Sequence, residues 1–220
     1  MTNLNFIEDI LSKSIISRSE IIGDVLFVDS NPAKIEIVNT KKVNDKVEKT
    51  TESVTYTLEQ SNIQTDKITD SGLIWGISLM LDKEFIKSIS KWGGLDEVEF
   101  YAPFLLRPFV KNNINNVIEE FYGENWIITN NKVLSHLKKH NEFQELSDDK
   151  ATSIKLKGRI RNTTIFTNED VEKNVIWKGN NHNCSAVMLN DISIDFKDNI
   201  YDIKVDYLFN SKGIRKLTLI

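Results

Sequence analysis

The sequence has only one cysteine, three prolines and nine glycines in 220 residues, and no long apolar run. A single cysteine excludes an internal disulfide, which suits a reducing compartment. Nothing approaches the roughly 18 consecutive apolar residues of a membrane span. The N-terminal stretch "MTNLNFIEDILSK" lacks the apolar core of a secretory signal. These absences predict an intracellular protein that is not secreted through a signal peptide and has no membrane partner.

The net charge and the missing sequence motifs argue against further functional classes of protein. The formal net charge of -4 supplies no global cationic field that would hold the chain on nucleic acid or on an anionic membrane. The sequence contains no G-x-S-x-G elbow, no phosphate-binding G-x-x-x-x-G-K-[ST] loop and no G-x-G-x-x-G fingerprint. We therefore expect no cofactor and no catalytic residue. The alternative is a small hydrolase or nuclease whose active site carries no recognisable sequence motif.

Hydrophobic patterning predicts a single α+β domain over residues 1–220. Its antiparallel β-sheets would form a sandwich or an open barrel, packed with two or three helices. A short helix is expected near Phe6, and the packed helices would begin near Asp82, Pro108 and Asn131, the last of them running to about residue 146. The expected strands are a hairpin around "DSNPA", a central strand over residues 73–81, "VEFYAPFLL", "WIIT", and β structure from residue 153 onward.

The C-terminal segment, residues 184–220, has the clearest strand pattern. Apolar and charged residues alternate around Phe196 and again from Tyr201 to Phe209, with "KDN" and "NSKG" as turns. This pattern predicts a three-stranded antiparallel meander with one buried face and one wet face.

The segment 41–70 differs in composition from its surroundings. Val54, Tyr56 and Leu58 alternate, but most of their neighbours are polar or charged. One interpretation is a loop that stays mobile because it buries too little apolar surface. The other is a projecting β-arm whose three apolar side chains contact another molecule.

Two histidines, His136 and His140, are spaced one helical turn apart, and His182 lies two residues before Cys184. Imidazole and thiolate are zinc ligands, so these four residues are the metal candidates. The glutamate of an H-E-x-x-H site is missing, and Leu137, Lys138 and Lys139 separate the histidine pair. We therefore interpret the histidines as residues that flank a packed helix face, and Cys184 as a small strand residue.

The stretch "SIKLKGRIR" carries a cation at every second position: Lys155, Lys157, Arg159 and Arg161. On a regular strand these four side chains would form one basic row. The polar face of the predicted meander carries Asp191, Asp195, Asp202 and Asp206. A calcium site is disfavoured there, because the chain lacks a D-x-[DN]-x-[DN]-G loop.

Three interpretations of these charged rows compete. They could be ordinary solvated faces partly neutralised by cross-strand pairs. The basic row of one copy could instead meet the acidic row of the next copy. Nucleic acid could also run along residues 155–161, but no aromatic residue interleaves the cations to stack on bases.

The arm at residues 41–70 leading into "SGLIWGISLMLD", the helix after it and the terminal β-meander resemble the layout of bacteriophage virion proteins of the tail-tube, tail-terminator or connector-ring kind. The resemblance implies a non-catalytic assembly subunit that joins a ring of its own copies and other structural proteins, with the arm clasping a neighbour. It also implies a location in the cytoplasm or in a virion.

Overall fold

The structure is a computed structural model that describes residues 21–28, 35–43, 46–54, 58–65, 70–92, 98–101, 111–121, 123–148, 152–189, 193–210 and 214–219. Within these residues, three α-helices span Asp70–Trp92 (α1), Lys111–Glu119 (α2) and Asn131–Leu137 (α3). The strands are β1 (Asp24–Val28), β2 (Ile35–Val43), β3 (Lys46–Val54), β4 (Glu59–Thr65), β5 (Val98–Tyr101), β6 (Trp126–Thr129), β7 (Phe143–Glu145), β8 (Lys155–Ile160), β9 (Thr163–Thr167), β10 (Val175–Gly179), β11 (Ser185–Leu189), β12 (Ser193–Lys197), β13 (Ile200–Asn210) and β14 (Arg215–Leu219).

A seven-stranded sheet has the order β5-β14-β10-β6-β9-β8-β7. Its central strands β6 and β10 are buried along their whole length, which fits their nearly continuous apolar sequences "WIIT" and "VIWKG". The pairs β6–β9 and β5–β14 are parallel, whereas β10 is antiparallel to both of its neighbours.

A five-stranded sheet is built around β13, the longest of its strands. Strand β4 pairs along one edge of β13, and β11 and β12 pair with its C-terminal and N-terminal parts along the other edge. Strand β1 adds to β11 in parallel. The buried residues of β13 are Ile203, Val205, Tyr207 and Phe209, which alternate with half-buried residues as predicted.

Two apolar clusters cover the two faces of the seven-stranded sheet. One cluster joins Trp126, Ile128 and Trp177 of that sheet to α1 and to the inner face of the five-stranded sheet. Phe85 of α1 lies at its centre, with ring centroids 6.2 Å from Trp126 and 5.5 Å from Phe209. The second cluster packs Ile127 and other residues of the opposite sheet face against α2 and α3.

The prediction of a central strand over residues 73–81 is wrong, because these residues belong to α1. Almost every position in "GLIWGISLML" is apolar or small, so a period of two could be read into it as easily as a helical period. Residues on several sides of α1 are buried, among them Ser78, Met80, Leu81 and Asp82. A helix buried on several sides loses its amphipathic signature.

Three further predictions need correction. Strand β1 pairs with β11 and β2 pairs with β3, so the predicted hairpin around "DSNPA" does not form between these strands. Strand β14 joins the seven-stranded sheet, so only β12 and β13 of the predicted meander stay together in the expected hairpin. The third helix, α3, ends at Leu137 and is followed by β7, well short of residue 146.

The predicted α+β class is confirmed, with mixed sheets that do not close into a barrel. The predicted helix after Pro108 is confirmed as α2, and "WIIT" is confirmed as β6. The helix predicted near Phe6 lies outside the described residues. No helix in the described ranges is long and apolar enough to cross a membrane.

Candidate functional site

The four cations of "SIKLKGRIR" do not form one row. A β-bulge interrupts β8 between Leu156 and Gly158, so Lys155 lies opposite Thr167 and Arg159 lies opposite Thr164. Positions 164 and 167 are three residues apart on β9 and therefore face opposite sides of the sheet. The bulge thus places Lys155 and Arg159 on different faces, which corrects the expectation of a single basic face.

The surroundings of these cations also differ. Arg161 lies in the β8–β9 turn with a φ of 53°, and its guanidinium binds Glu142 at 2.8 Å and Glu119 at 3.0 Å. Hydrogen bonds to those two carboxylates raise the pKa of Arg161. Arg159 instead donates from Nε to the amide oxygen of Gln144 at 2.7 Å. Arg161 is therefore engaged in ion pairs within its own chain.

Lys155 and Lys157 line an open cleft of about 360 Å³. Its other lining residues are mostly polar and include both acids and hydroxyls: Asn131, Ser153, Thr167, Asn168, Glu169 and Asp170. Two lysines facing two carboxylates make a mixed surface rather than a strongly cationic one. The cleft does not favour a polyanion such as nucleic acid.

The acidic side chains lie on the other large sheet. Asp195 of β12 lies directly opposite Asp202 of β13, and Asp206 lies opposite Gln60 of β4. Asp202 has one shielded carboxylate oxygen, Oδ1, with no hydrogen-bond partner. Asp191 lies outside the described residues. Because β8 pairs with β7 and β9 only, the acidic strands and the basic strand do not neutralise each other as cross-strand neighbours.

The β12–β13 hairpin carries a feature that sequence reasoning missed. Phe196 and Ile200 at its tip are 55% and 40% exposed, whereas Ile203 and the alternate residues after it on β13 are buried. The sequence signal was present, since two apolar residues flank the short "KDN" turn and lie beyond the regular alternation. Large exposed apolar groups close together are typical of contact surfaces.

The predicted arm, residues 41–70, contains the end of β2, all of β3 and all of β4. Strands β2 and β3 form a separate two-stranded antiparallel sheet, whereas β4 pairs with β13 in the five-stranded sheet. Among the described residues neither β2 nor β3 pairs with a third strand. Of the three apolar residues proposed for its contacts, Val54 ends β3, Tyr56 lies outside the described residues, and Leu58 is buried in its own chain. Leu58 is therefore not available to a partner.

The metal candidates are placed apart. His136 lies on α3, and its pKa is lowered by partial burial and, to a smaller extent, by the positive charge of Lys139. His140 is buried beyond the end of the helix, and its Nδ1 accepts a hydrogen bond from the N–H of Glu142. His182 is exposed in a 3-10 turn. In the described ranges, no three His, Cys, Asp or Glu side chains come close enough to hold a metal ion.

Cys184 belongs to the apolar cluster around α1 and is 2% exposed. Burial raises the pKa of its thiol to about 12. A nucleophilic or metal-binding cysteine must form the thiolate near neutral pH. The position of Cys184 supports the structural interpretation of this residue.

A buried polar network ties α1 to the five-stranded sheet, and sequence reasoning missed it. Glu84 accepts from the hydroxyl of Ser61 at 3.1 Å and from the hydroxyl of Tyr207. Burial, and then Glu84, raises the pKa of Tyr207. At the edge of this network, Nζ of Lys91 lies 2.8 Å from Oε1 of Glu59, and this ion pair lowers the pKa of Glu59. The network fixes the helix on the sheet by hydrogen bonds in addition to apolar packing.

No protein-family profile matches the sequence, and no curated protein matches it significantly. The fold, in contrast, is found among solved structures of shell proteins. The subunit of a virus-like particle from Pyrococcus furiosus superposes with a TM-score of 0.59 at 12% identity, covering 94% of this chain and 95% of that chain.

An encapsulin complex from Synechococcus elongatus gives a TM-score of 0.50 at 8% identity, covering 93% of this chain and 86% of that chain. A cyanophage A-1(L) capsid protein gives 0.49 at 8% identity, covering 94% of this chain and 92% of that chain. The first two of these structures share the fold of this chain. The chain has the HK97-like fold of these shell proteins. The expected resemblance to virion proteins is thus confirmed in the fold, but the tail and connector kinds are not what these structures represent.

Proposed function

We propose that this chain is a non-catalytic structural subunit that assembles with copies of itself into a closed, virion-like shell. The observation that carries the proposal is the fold shared with the Pyrococcus furiosus virus-like particle over nearly the full length of both chains. Its acidic pair and apolar tip lie on one sheet and its basic strand on the other. Unlike surfaces on one chain suit head-to-tail contacts, which close into rings or shells.

The β2–β3 hairpin supports assembly on a second ground. An isolated two-stranded hairpin is marginally stable in water and needs further strands or a packed face. The nine register pairs of β2 and β3 run from Ile35–Val54 to Val43–Lys46 without a third strand among the described residues. We therefore propose that the β2–β3 hairpin, which spans residues 35–54, contacts a neighbouring copy.

The test is to purify the full chain, measure its solution mass by light scattering from low to high salt, and image it by electron microscopy. Closed particles of uniform diameter would support the shell. Rings or tubes that do not close would favour the tail or connector role and refute a shell. A monomer at every concentration and salt would refute self-assembly.

A matched pair of arm variants sharpens the test. Replacing Glu48 by proline places a residue without an N–H in β3, where Glu48 lies opposite Lys41 in the antiparallel ladder. We expect this variant to lose assembly while its α-helical circular dichroism persists. Glu48→Thr, which keeps the N–H and favours a strand, is the control and should assemble.

A further inference from the structure

Three large apolar side chains are exposed in the part of the chain that the structure describes: Leu146 at 37%, Phe196 at 55% and Ile200 at 40%. Two of them lie in the β12–β13 hairpin, whose turn residues Asp198 and Asn199 have φ angles of 53° and 62°. Positive φ at both positions of a two-residue turn is the type I′ geometry that matches strand twist. The tip, residues 195–202, is therefore a preformed shape.

The tip is apolar on both of its faces. Phe196 pairs with Tyr201, their ring centroids 4.7 Å apart, and Ile200 belongs to the adjacent pair with Lys197. Adjacent cross-strand pairs point to opposite faces of a hairpin. Phe196 continues the core face of β13 beyond the buried residues, and Ile200 is exposed on the other face.

The tip also carries a pair of like charges. Asp195 and Asp202 lie directly opposite each other, an arrangement that destabilises a sheet when no cation offsets it. Lys197 and Lys204 lie on the same face, yet no ion pair joins either lysine to these aspartates among the described residues. A cation from outside the hairpin would stabilise the pair.

The third exposed apolar residue lies beside an arginine that forms no ion pair among the described residues. The N–H of Leu146 donates to the carbonyl oxygen of Lys157 at 3.2 Å, which continues the β7–β8 pairing. Arg159 follows on β8 and reaches Gln144 of β7. Arg159 forms no ion pair with a described carboxylate, whereas Lys157 lines the cleft that contains Glu169 and Asp170 and interacts electrostatically with Glu145. Leu146 and Arg159 lie on the same face as Gln144, and together they form the β8 surface, an exposed apolar group beside a cation that has no ion pair in the described part of the chain.

We propose that the hairpin tip of one copy docks on the β8 surface of a second copy. The tip offers exposed apolar side chains and an acidic pair, and the β8 surface offers an exposed leucine and one arginine, so the two match in polarity and in charge. The contact joins unlike surfaces and is therefore head-to-tail. This inference rests on the proposed function and names the contact through which it acts.

The decisive experiment uses two charge-reversed proteins. The first carries Asp195→Lys and Asp202→Lys, and the second carries Arg159→Glu. Each alone would set like charges against each other and lose self-association. In a mixture, the basic tip of the first protein meets the acidic β8 surface of the second. The acidic wild-type tip of the second protein likewise meets the basic wild-type β8 surface of the first. Native mass spectrometry at low salt should therefore detect mixed complexes and no complexes of either protein alone.

The apolar half of the contact has its own test. Phe196→Ser and Leu146→Ser should each raise the critical concentration for assembly by about tenfold or more, as expected when a large apolar side chain no longer becomes buried. Lys173→Glu, an exposed charge reversal away from both surfaces, is the control and should assemble normally. Circular dichroism of every variant verifies folding.

The outcomes separate the two proposals. If the wild type assembles and the reversed proteins still assemble alone, the docking contact is overturned while the shell function stands. The same holds if both serine variants assemble like the wild type. If the wild type itself stays a monomer in all conditions, both proposals fail together.

Discussion

Removing the carboxylate of Asp82 should destabilise the fold strongly. Asp82 lies on α1 with no exposed surface, and its Oδ2 accepts from the N–H of Ser153 at 2.6 Å and from that of Ile154 at 2.8 Å. The hydroxyl of Ser153 lies 3.3 Å from the same oxygen. A single carboxylate oxygen thus fixes the segment that leads into β8 against the central helix.

The size of the effect follows from the groups left behind. Asp82→Ala removes the acceptor of two main-chain N–H groups, and a buried donor without a partner costs about 1–3 kcal/mol. The expected loss is about 2–5 kcal/mol in the free energy of unfolding. For a chain of this length, 1 kcal/mol corresponds to about 2–4 °C in Tm, so the Tm should fall by about 4–20 °C.

Thermal unfolding followed by circular dichroism, at one fixed protein concentration, measures this shift. Asp82→Asn keeps one acceptor oxygen and should lose less than the alanine variant. Lys83→Ala changes an exposed neighbour on the same helix and should stay within about 0.5 kcal/mol of the wild type. A Tm for Asp82→Ala within about 2 °C of the wild type would show that these hydrogen bonds do not hold the segment.

Three further outcomes are expected. Lys91 lowers the pKa of Glu59 in the folded state, so this ion pair stabilises the fold at pH values above the ordinary glutamate pKa. The contribution is lost as the pH falls through the pKa of Glu59 in the folded protein. Glu59→Gln should therefore make the free energy of unfolding depend less on pH in the acid range. In Gly23→Ala, the new Cβ would lie 2.1 Å from the main-chain oxygen of Asn181, so we expect a loss of about 1–3 kcal/mol in urea unfolding, and an unchanged midpoint would contradict the close packing. The Cys184 thiol should resist a thiol reagent at pH 8 until the protein is denatured, and rapid labelling of the native protein would contradict its burial.

The local patterns that predicted the fold correctly were those with one dominant period. Val117 and Ile118 are buried on α2, and Phe121 is buried just after its end, as their helical spacing predicts. The alternation from Tyr201 to Phe209 likewise predicts β13 and its buried face. Where one face alone is buried, the periodicity of the sequence reports the structure directly.

The patterns that misled depend on tertiary structure. The pairing of β14 with β10 and β5 is a choice between partners distant in the chain, which a local turn such as "NSKG" does not determine. The bulge in β8 reverses the side-chain alternation after Leu156, although the sequence alternates without a break. The acidic residues could be assigned to the correct strands, but the distance between the basic and acidic strands could not be predicted without the sheet order.

Two features of this chain are unfavourable in a single copy and favourable in an assembly. The β2–β3 arm pairs with no third strand in the described residues, and the β12–β13 tip exposes Phe196 and Ile200 to water beside two opposed aspartates. Both costs disappear if a second copy covers these elements. Folding stability would then be coupled to association, because anything that binds only the native state stabilises it by mass action. The Tm of such a chain should rise with protein concentration, whereas a subunit that is complete as a monomer would unfold at the same temperature at every concentration.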